Sequence, residues 1–342
     1  MLAQAHPRTT PRPRSAAARR IRNTVSAIAM AAAALVTGNA GAQDYPAKAI
    51  RVIVGAPAGG TTDIVARIVA AKLGERLGQS VAVENRGGAG GNIGNDVVAK
   101  AAPDGYTLGM AYSGLSINPV VMGSAMPFDT LQDLAPVSLV ATVPMFLVVG
   151  PATKANDVTT LAAEARANPG KLAIAANSLA SASHLAAELF KSRADIDMTT
   201  VVYKGSAPAL TDIMGGRVAA MFDTVPGAIG YVRSGQLRAI AVGGAKRLAI
   251  LPDVPTLQES GLKDIEIRSW YGVIAPARTP PAIVERLSRE IAEIMRSADM
   301  RERMAAQTLE PVGSTPAEFA TFIRREMDVW GPVAKAAKIK LE

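Results

Sequence analysis

The chain has 342 residues, of which 49% are hydrophobic, 4% aromatic and 19% charged. That length and apolar share describe one large or two medium globular domains with true cores, and they exclude disorder and collagen-like repeats. The formal net charge of +8 would point to nucleic acid or an acidic membrane surface if the folded protein carried it, but most of it sits at one end of the chain.

The first 42 residues hold Arg8, Arg12, Arg14, Arg19, Arg20 and Arg22, no acidic residue, and then an apolar run over residues 25–36. The run is about a dozen residues long, against the roughly 20 of a spanning helix, and leads into Ala40-Gly41-Ala42. This is the pattern of a cleaved secretory signal; an uncleaved anchor is the competing reading, against which the short run and its small-residue end both argue. Arg19-Arg20 is a poor twin-arginine match and does not choose the export route. Without the six arginines, 31 basic residues face 29 acidic ones in residues 43–342, a near-neutral balance with no basic stripe for phosphate backbones, so nucleic acid drops out.

The absence of cysteine excludes thiolate chemistry and cysteine-ligated metal, and suits an exported protein held by core packing. His6 lies in the signal, so His184 is the one histidine after it, and no G-x-S-x-G elbow accompanies it. A multi-histidine metal site within one chain is excluded, and no cofactor is expected.

From Ile50 the chain alternates strand and helix. Residues 50–54 are a β-rich apolar run, and residues 61–77 carry Ile64, Val65, Ile68, Leu73 and Leu77 on helical spacing. Residues 81–84 return as a strand. After the glycine-rich stretch 87–94 come a short helix at 96–101, the turn Pro103-Asp104-Gly105 and a strand at 106–111. Such βαβ units predict an α/β fold with a mainly parallel sheet. A second series runs through strand 146–149, helix 160–167, strand 171–175, helix 183–191, strand 199–203, helix 208–215, strand 219–222, helix 228–234 and strand 237–242. Past Trp270, residues 273–275 lead to Pro280-Pro281, a helix start, with Val284, Leu287, Ile291 and Ile294 on one stripe. The tail reads as helices packing back on the first lobe. With crossings near residues 144 and 270, two lobes are expected, 43–144 with 270–342 and 145–269, whose strand C-termini surround a shared cleft.

The loops at those strand ends carry the chemistry. Gly55-Ala56-Pro57-Ala58-Gly59-Gly60-Thr61-Thr62-Asp63 joins the first strand to the first helix. Glycines let the backbone approach a ligand, and free N–H groups at a helix start favour a carboxylate or phosphate. The Walker pattern is absent, and a plain turn capped by Thr61 or Thr62 fits equally well. Asp63 is either a first-turn carboxylate favoured by the helix dipole, or a group that orients loop amides or receives a substrate ammonium. The G-x-G-x-x-G spacing that starts at Gly88 fails at Ile93, so a dinucleotide site is not expected; Arg86 beside it either counters an anion or sits in a salt bridge. In the second series, Asn177-Ser178-Leu179-Ala180-Ser181-Ala182-Ser183-His184 offers hydroxyls and amides, with Ser181 or Ser183 available as an N-cap. His184 reads as a hydrogen-bonded structural residue rather than a base. Asp223-Thr224 ends a strand on the cleft side. Tyr112, Tyr203, Trp270 and Tyr271 are the aromatics expected near the cleft, few for a sugar site.

These stretches add up to a likeness over essentially the whole mature chain. Tyr45-Pro46, Pro57-Ala58-Gly59-Gly60-Thr61-Thr62-Asp63 with Ala66-Arg67, the block from Val83 to Gly94, Pro103-Asp104-Gly105-Tyr106-Thr107-Leu108, Ser181-Ala182-Ser183-His184-Leu185, Tyr203-Lys204-Gly205, Leu251-Pro252-Asp253-Val254-Pro255-Thr256 and Ser269-Trp270-Tyr271-Gly272 occur in order. The chain resembles the Bug-type, TctC-like extracytoplasmic solute receptors of tripartite tricarboxylate transporters. The resemblance implies a two-lobe periplasmic-binding-protein fold, type II-like, closing over a small carboxylate held by backbone amides, hydroxyls and water. It also implies a monomer in the periplasm with membrane permease subunits as partners. Carried over, Pro57, Gly59, Gly60, Thr61, Thr62 and Asp63 form the first wall, Ser113 follows a strand facing the cleft, and Ser178, Ser181 and Asp223 belong to the opposite wall. Two departures stand out: Ala56 replaces a usual large aromatic and Gly55 a common proline, so the pocket mouth is expected to be wider or reshaped.

The leading expectation is therefore binding without catalysis of a mono-, di- or tricarboxylate, or an acidic amino acid or aromatic acid. The alternatives are a secreted hydrolase or isomerase using His184 and Asp223 in the same cleft, and a ligand sensor for a membrane kinase.

Overall fold

A computed structural model describes residues 45–263, 265–337 and 339. The signal read over residues 1–42 lies outside the described residues. Residues 48–342 form one compact unit; of the other, residues 1–47, three residues are described, with a cis Tyr45–Pro46 bond.

In chain order the strands are β1 (Ile50–Val54), β2 (Val81–Asn85), β3 (Thr107–Tyr112), β4 (Leu134–Val149), β5 (Ala173–Ala176), β6 (Thr199–Val202), β7 (Ala220–Thr224), β8 (Arg238–Val242), β9 (Arg268–Pro276) and β10 (Glu310–Pro311). The helices are α1 (Thr61–Leu77), α2 (Asn92–Ala99), α3 (Gly114–Met122), α4 (Val158–Ala167), α5 (Ala182–Ala194), α6 (Ser206–Met214), α7 (Val225–Arg233), α8 (Pro281–Arg296), α9 (Ala298–Ala306) and α10 (Pro316–Ala336).

The strands form one sheet in the order β2-β1-β3-β9-β4-β7-β5-β6, with β8 and β10 also pairing β4. β1 pairs in parallel with β2 and β3, and β5 with β6 and β7, as the βαβ pattern predicts. The expectation of a mainly parallel sheet is corrected, because β4 and β9 run against all their neighbours. They link the two parallel sets without an intervening crossover helix, and local periodicity does not encode the direction of such long-range pairings. The 16-residue β4 changes partner midway: Pro144 lies opposite Arg268 of β9, and Met145 opposite Thr224 of β7.

Three other elements differ from expectation. β4 begins twelve residues before the predicted run at Phe146, concealed by Pro136 and Pro144; a register shift beside Pro136 absorbs the missing donor. α3 was not predicted, since Gly114 and Pro119 are poor helix residues, yet Leu115 and Ile117 bury in the core and hold it. α2 starts at Asn92 rather than at residue 96, because Gly91 at φ +96° turns the chain into the helix inside the glycine-rich stretch.

Alternation along β4 divides the second core. Met145, Leu147 and Val149 pack with Leu161 of α4 and Phe190 of α5, while Phe146 and Val148 pack with Ile213 of α6 and Val225 of α7. Phe190 meets Phe222 edge-on at 5.6 Å between ring centroids. Around β9, Trp270 packs against Phe319 and Phe322 of α10, and Gly272 lets Phe319 lie on the sheet, since a Cβ there would sit 2.2 Å from its ring. α10 packs on α3, as a tail returning to the first set of strands should, but Trp330 and Ala334 also share a cluster with Ala180 and Leu185 at the start of α5.

Candidate functional site

Every parallel strand ends in a loop that feeds a helix, and these ends gather the sequence-predicted residues. After β1, Pro57, Gly59 and Gly60 are exposed, while Thr61, Thr62 and Asp63 are buried. The Asp63 carboxylate accepts from Gly59 N–H at 2.9 Å, from Arg67 Nε at 3.0 Å and from Asn85 Nδ2 at 3.0 Å; Asn85 also donates to the Ala56 carbonyl at 3.0 Å. Burial raises its pKa, but the bonds from Arg67, Gly59 and Asn85 outweigh that and hold it below the ordinary value. Of the roles open to Asp63, the geometry supplies the orienting of loop amides. Asn85 is the partner that sequence reasoning passed over, although it stands in the quoted block beside Arg86.

The departure at Gly55 has a packing reason. A Cβ on Gly55 would lie 2.8 Å from the Gly91 carbonyl oxygen, and one on Gly94 would lie 2.7 Å from Gly55 Cα, so the glycine-rich loop nests directly on the β1 turn. Tyr112 covers this contact: a Cβ on Gly91 would sit 2.9 Å from its hydroxyl, and burial pushes the phenol above its usual range. Asn118 Nδ2 donates to the Gly90 carbonyl at 3.0 Å and to Asn92 Oδ1 at 2.8 Å, tying this loop to α3. Arg86 is salt-bridged, its Nε 2.7 Å from Glu84 Oε1. Ser113 is buried at the start of α3, its carbonyl accepting from Ser116 Oγ at 3.0 Å.

On the other wall, Ser178 is half-buried and its carbonyl accepts from Ser181 Oγ at 2.8 Å. Ser181 is the N-cap of α5, accepting from His184 N–H at 3.2 Å, while Ser183 Oγ donates to the Phe222 carbonyl at 2.6 Å. His184 Nδ1 accepts from Ala180 N–H at 3.2 Å; burial lowers its pKa against the pull of Glu188, whose Oε1 is 3.9 Å from Nε2. Asp223 is buried at the end of β7, with Oδ1 accepting from Ser206 Oγ and from Thr224 N–H, each at 2.9 Å. His184 and Asp223 thus have separate partners and form no acid–base pair.

The two walls touch. Thr61 Oγ1 and Thr224 Oγ1 are 2.9 Å apart, and the Tyr271 hydroxyl interacts with both. A Cβ on Gly205 would be 3.9 Å from Pro57, and one on Gly90 would be 3.2 Å from the Leu179 carbonyl oxygen. So Thr61 and Thr224 meet directly, while Ser113, Ser178 and Ser181 bond within their own walls. Of the four aromatics expected near the cleft, Tyr271 lies at the Thr61–Thr224 contact and Tyr112 against Gly91 of the glycine-rich loop. Trp270 is in the core because it points to the opposite face of β9 from its neighbour, and Tyr203 bonds Asp212 Oδ2 at 2.8 Å. Among the described residues, no group of three or more His, Asp or Glu is placed to hold a metal ion, and no helix is long and apolar enough to cross a membrane. An open groove of about 1100 Å³ lies elsewhere, between the C-terminal halves of α5 and α10, lined by Lys191, Arg193, Ile196, Val333 and Ala336 among others.

The family model described as "Tripartite tricarboxylate transporter family receptor" matches residues 65–339. The chain is similar to protein BugT of Bordetella pertussis, 41% identical over 307 residues, which cover 88% of this chain and 93% of that protein. Among solved structures it is similar to Rpa4515 of R. palustris with adipate, at TM-score 0.83 and 35% identity, covering 86% of this chain and 99% of that one. It is also similar to MatC from Rhodopseudomonas palustris with bound malate, at TM-score 0.78 and 29% identity, covering 84% and 99%.

Proposed function

The chain belongs to the tripartite tricarboxylate transporter receptor family, whose members are solute-binding receptors with a periplasmic-binding-protein fold, and from that premise we propose that it captures a small carboxylate in the periplasm. The lobes are residues 43–144 with 270–342, and residues 145–269. They close over the acid between Pro57, Gly59, Gly60, Thr61 and Thr62 on one wall and Ser178, Ser181 and the Asp223-Thr224 end on the other, with Ser113 behind. Asp63 acts by holding the first wall in shape. The closed receptor, a monomer, then presents the acid to membrane permease subunits.

The observation that carries this reading is the capping of the helices. α1, α2, α3, α6 and α7, which start at strand ends, have no N-cap side-chain hydrogen bond, whereas α5, after β5, is capped by Ser181. α4, α9 and α10 are capped by Asp157, Ser297 and Thr315, and α8 begins on prolines. Open N–H groups with the positive ends of helix dipoles behind them are donors for a carboxylate without a cation. Arg67, one helical turn after Asp63, is engaged by it. The acids held by the two R. palustris proteins support the same ligand class.

The test is a thermal-shift panel on the processed chain, from residue 43, with mono-, di- and tricarboxylates, acidic amino acids, aromatic acids and neutral sugars. At a hundredfold excess over Kd, binding adds about 2.7 kcal/mol and raises the midpoint by several degrees. Shifts confined to one class of acid support the reading; an unmoved midpoint with every acid, after refolding to strip copurified ligand, overturns it.

A further inference from the structure

Asp223 is a buried carboxyl whose two oxygens are treated unequally. Oδ1 has two donors, Ser206 Oγ and Thr224 N–H, whereas Oδ2 is buried with no hydrogen-bond partner. It faces Ser206 on α6, Thr224 and Gly227 at the start of α7, Phe146 opposite it in register on β4, and Tyr271 on β9. Tyr271 is the titratable group in this set, and among the described residues no Lys, Arg or His neutralises the carboxylate. Tyr271, which feels the charge of Asp223, is also the residue that meets Thr61 and Thr224 where the walls touch. Asp223 is therefore an uncompensated buried acid beside the Thr61–Thr224 contact, at the place read as an anion site.

Resting on that carboxylate reading, we propose that Asp223 sets the charge the cleft accepts: a carboxylate enters beside Thr61, Thr224 and Tyr271 together with a proton taken from solvent onto Asp223. The protein–ligand pair then holds one negative charge at this point instead of two. Two carboxylates in one dry site do not both stay ionised, because the repulsion is unscreened and neither is solvated. Burial already pushes the Asp223 pKa up to about 7, against the two bonds to Oδ1, so the last proton is taken up in the neutral range. The cleft accordingly prefers acids that bring a single charge to this wall, and binds them more tightly as the pH falls.

Calorimetry of the processed chain with adipate and with L-malate, in phosphate and in Tris, measures protons exchanged per ligand. Wild type is expected to take up a proton fraction approaching one at pH 8, with Kd rising by up to about tenfold per pH unit above neutrality. Asp223→Asn, uncharged and of the same shape, is expected to bind with a pH-independent Kd and no uptake. Ser206→Ala removes a donor to Oδ1 and should move the uptake to higher pH. Proton-neutral binding by wild type, or uptake that persists in Asp223→Asn, overturns this inference while leaving the carboxylate reading intact. Absence of binding by both acids, with the acid panel also silent, overturns the reading and the inference together.

Discussion

Replacing Asp63 with alanine separates a loop-holding role from a ligand-contacting one. The substitution leaves Gly59 N–H without an acceptor and takes from Asn85 Nδ2 one of its two acceptors, at a side chain that is 5% exposed. Hydrogen bonds to a charged group contribute about 1.5–3 kcal/mol each, and the bond from half-exposed Arg67 contributes little, so the loss is about 3–6 kcal/mol. In urea unfolding this lowers the midpoint at an unchanged m-value. Ligand affinity should fall by more than about tenfold, because binding must then also order the 55–60 loop. The folded pKa of Asp63 lies below the ordinary 3.8, so its contribution is present above 3.8 and fades as pH falls through the lower folded value. Wild type and Asp63→Asn should accordingly converge in stability at the acid end. If Asp63→Ala unfolds at the wild-type urea concentration yet binds no ligand, Asp63 touches the ligand directly and the loop-holding argument is wrong.

Asp223→Asn should change how stability follows pH. The folded-state pKa of about 7 exceeds the ordinary 3.8, so this group costs wild type stability as pH rises between them, by up to roughly 4 kcal/mol, and the variant lacks that component; the difference between their urea melts from pH 4 to 8 without ligand shows which holds. Gly94→Ala drives a Cβ to 2.7 Å from Gly55 Cα and 3.1 Å from the Arg86 carbonyl oxygen, so a loss of about 1–3 kcal/mol is expected, and an unchanged melting temperature would show that the two loops can separate freely. Thr61→Val removes one hydroxyl of the 2.9 Å pair across the walls and should weaken closure by about 1 kcal/mol, seen as a larger radius of gyration by small-angle scattering without ligand. Ser181→Ala should destabilise by about 1 kcal/mol through the lost cap of α5, and a variant as stable as wild type would remove that assignment.

The fold was legible where periodicity and punctuation agree. β1, α1 and the start of α8 lie where the apolar run, the stripe ending before Gly78 and Pro280-Pro281 put them. The resemblance read from ordered sequence blocks is borne out by the family match and by the relatives. α3 and the first half of β4 were illegible because Gly114, Pro119, Pro136 and Pro144 read locally as breakers, while burial of Leu115, Ile117 and Val137 outweighs that preference.

The site divides along the same line. Which loops to propose as the site is read from the sequence alone, since glycines, hydroxyls and acids at strand ends are a local pattern. Which acid is satisfied was decided by tertiary structure: Asp63 and Asp223 look alike as carboxyls near helix starts, yet Asn85 and Arg67 converge on one, while the other keeps a bare buried oxygen. Arg67 is one helical turn from Asp63 and foreseeable, but Asn85 comes from the end of β2 and Ser206 from the start of another helix. The energy of a buried charge depends on all the donors and low-dielectric surface around it, and only the assembled sheet brings those together.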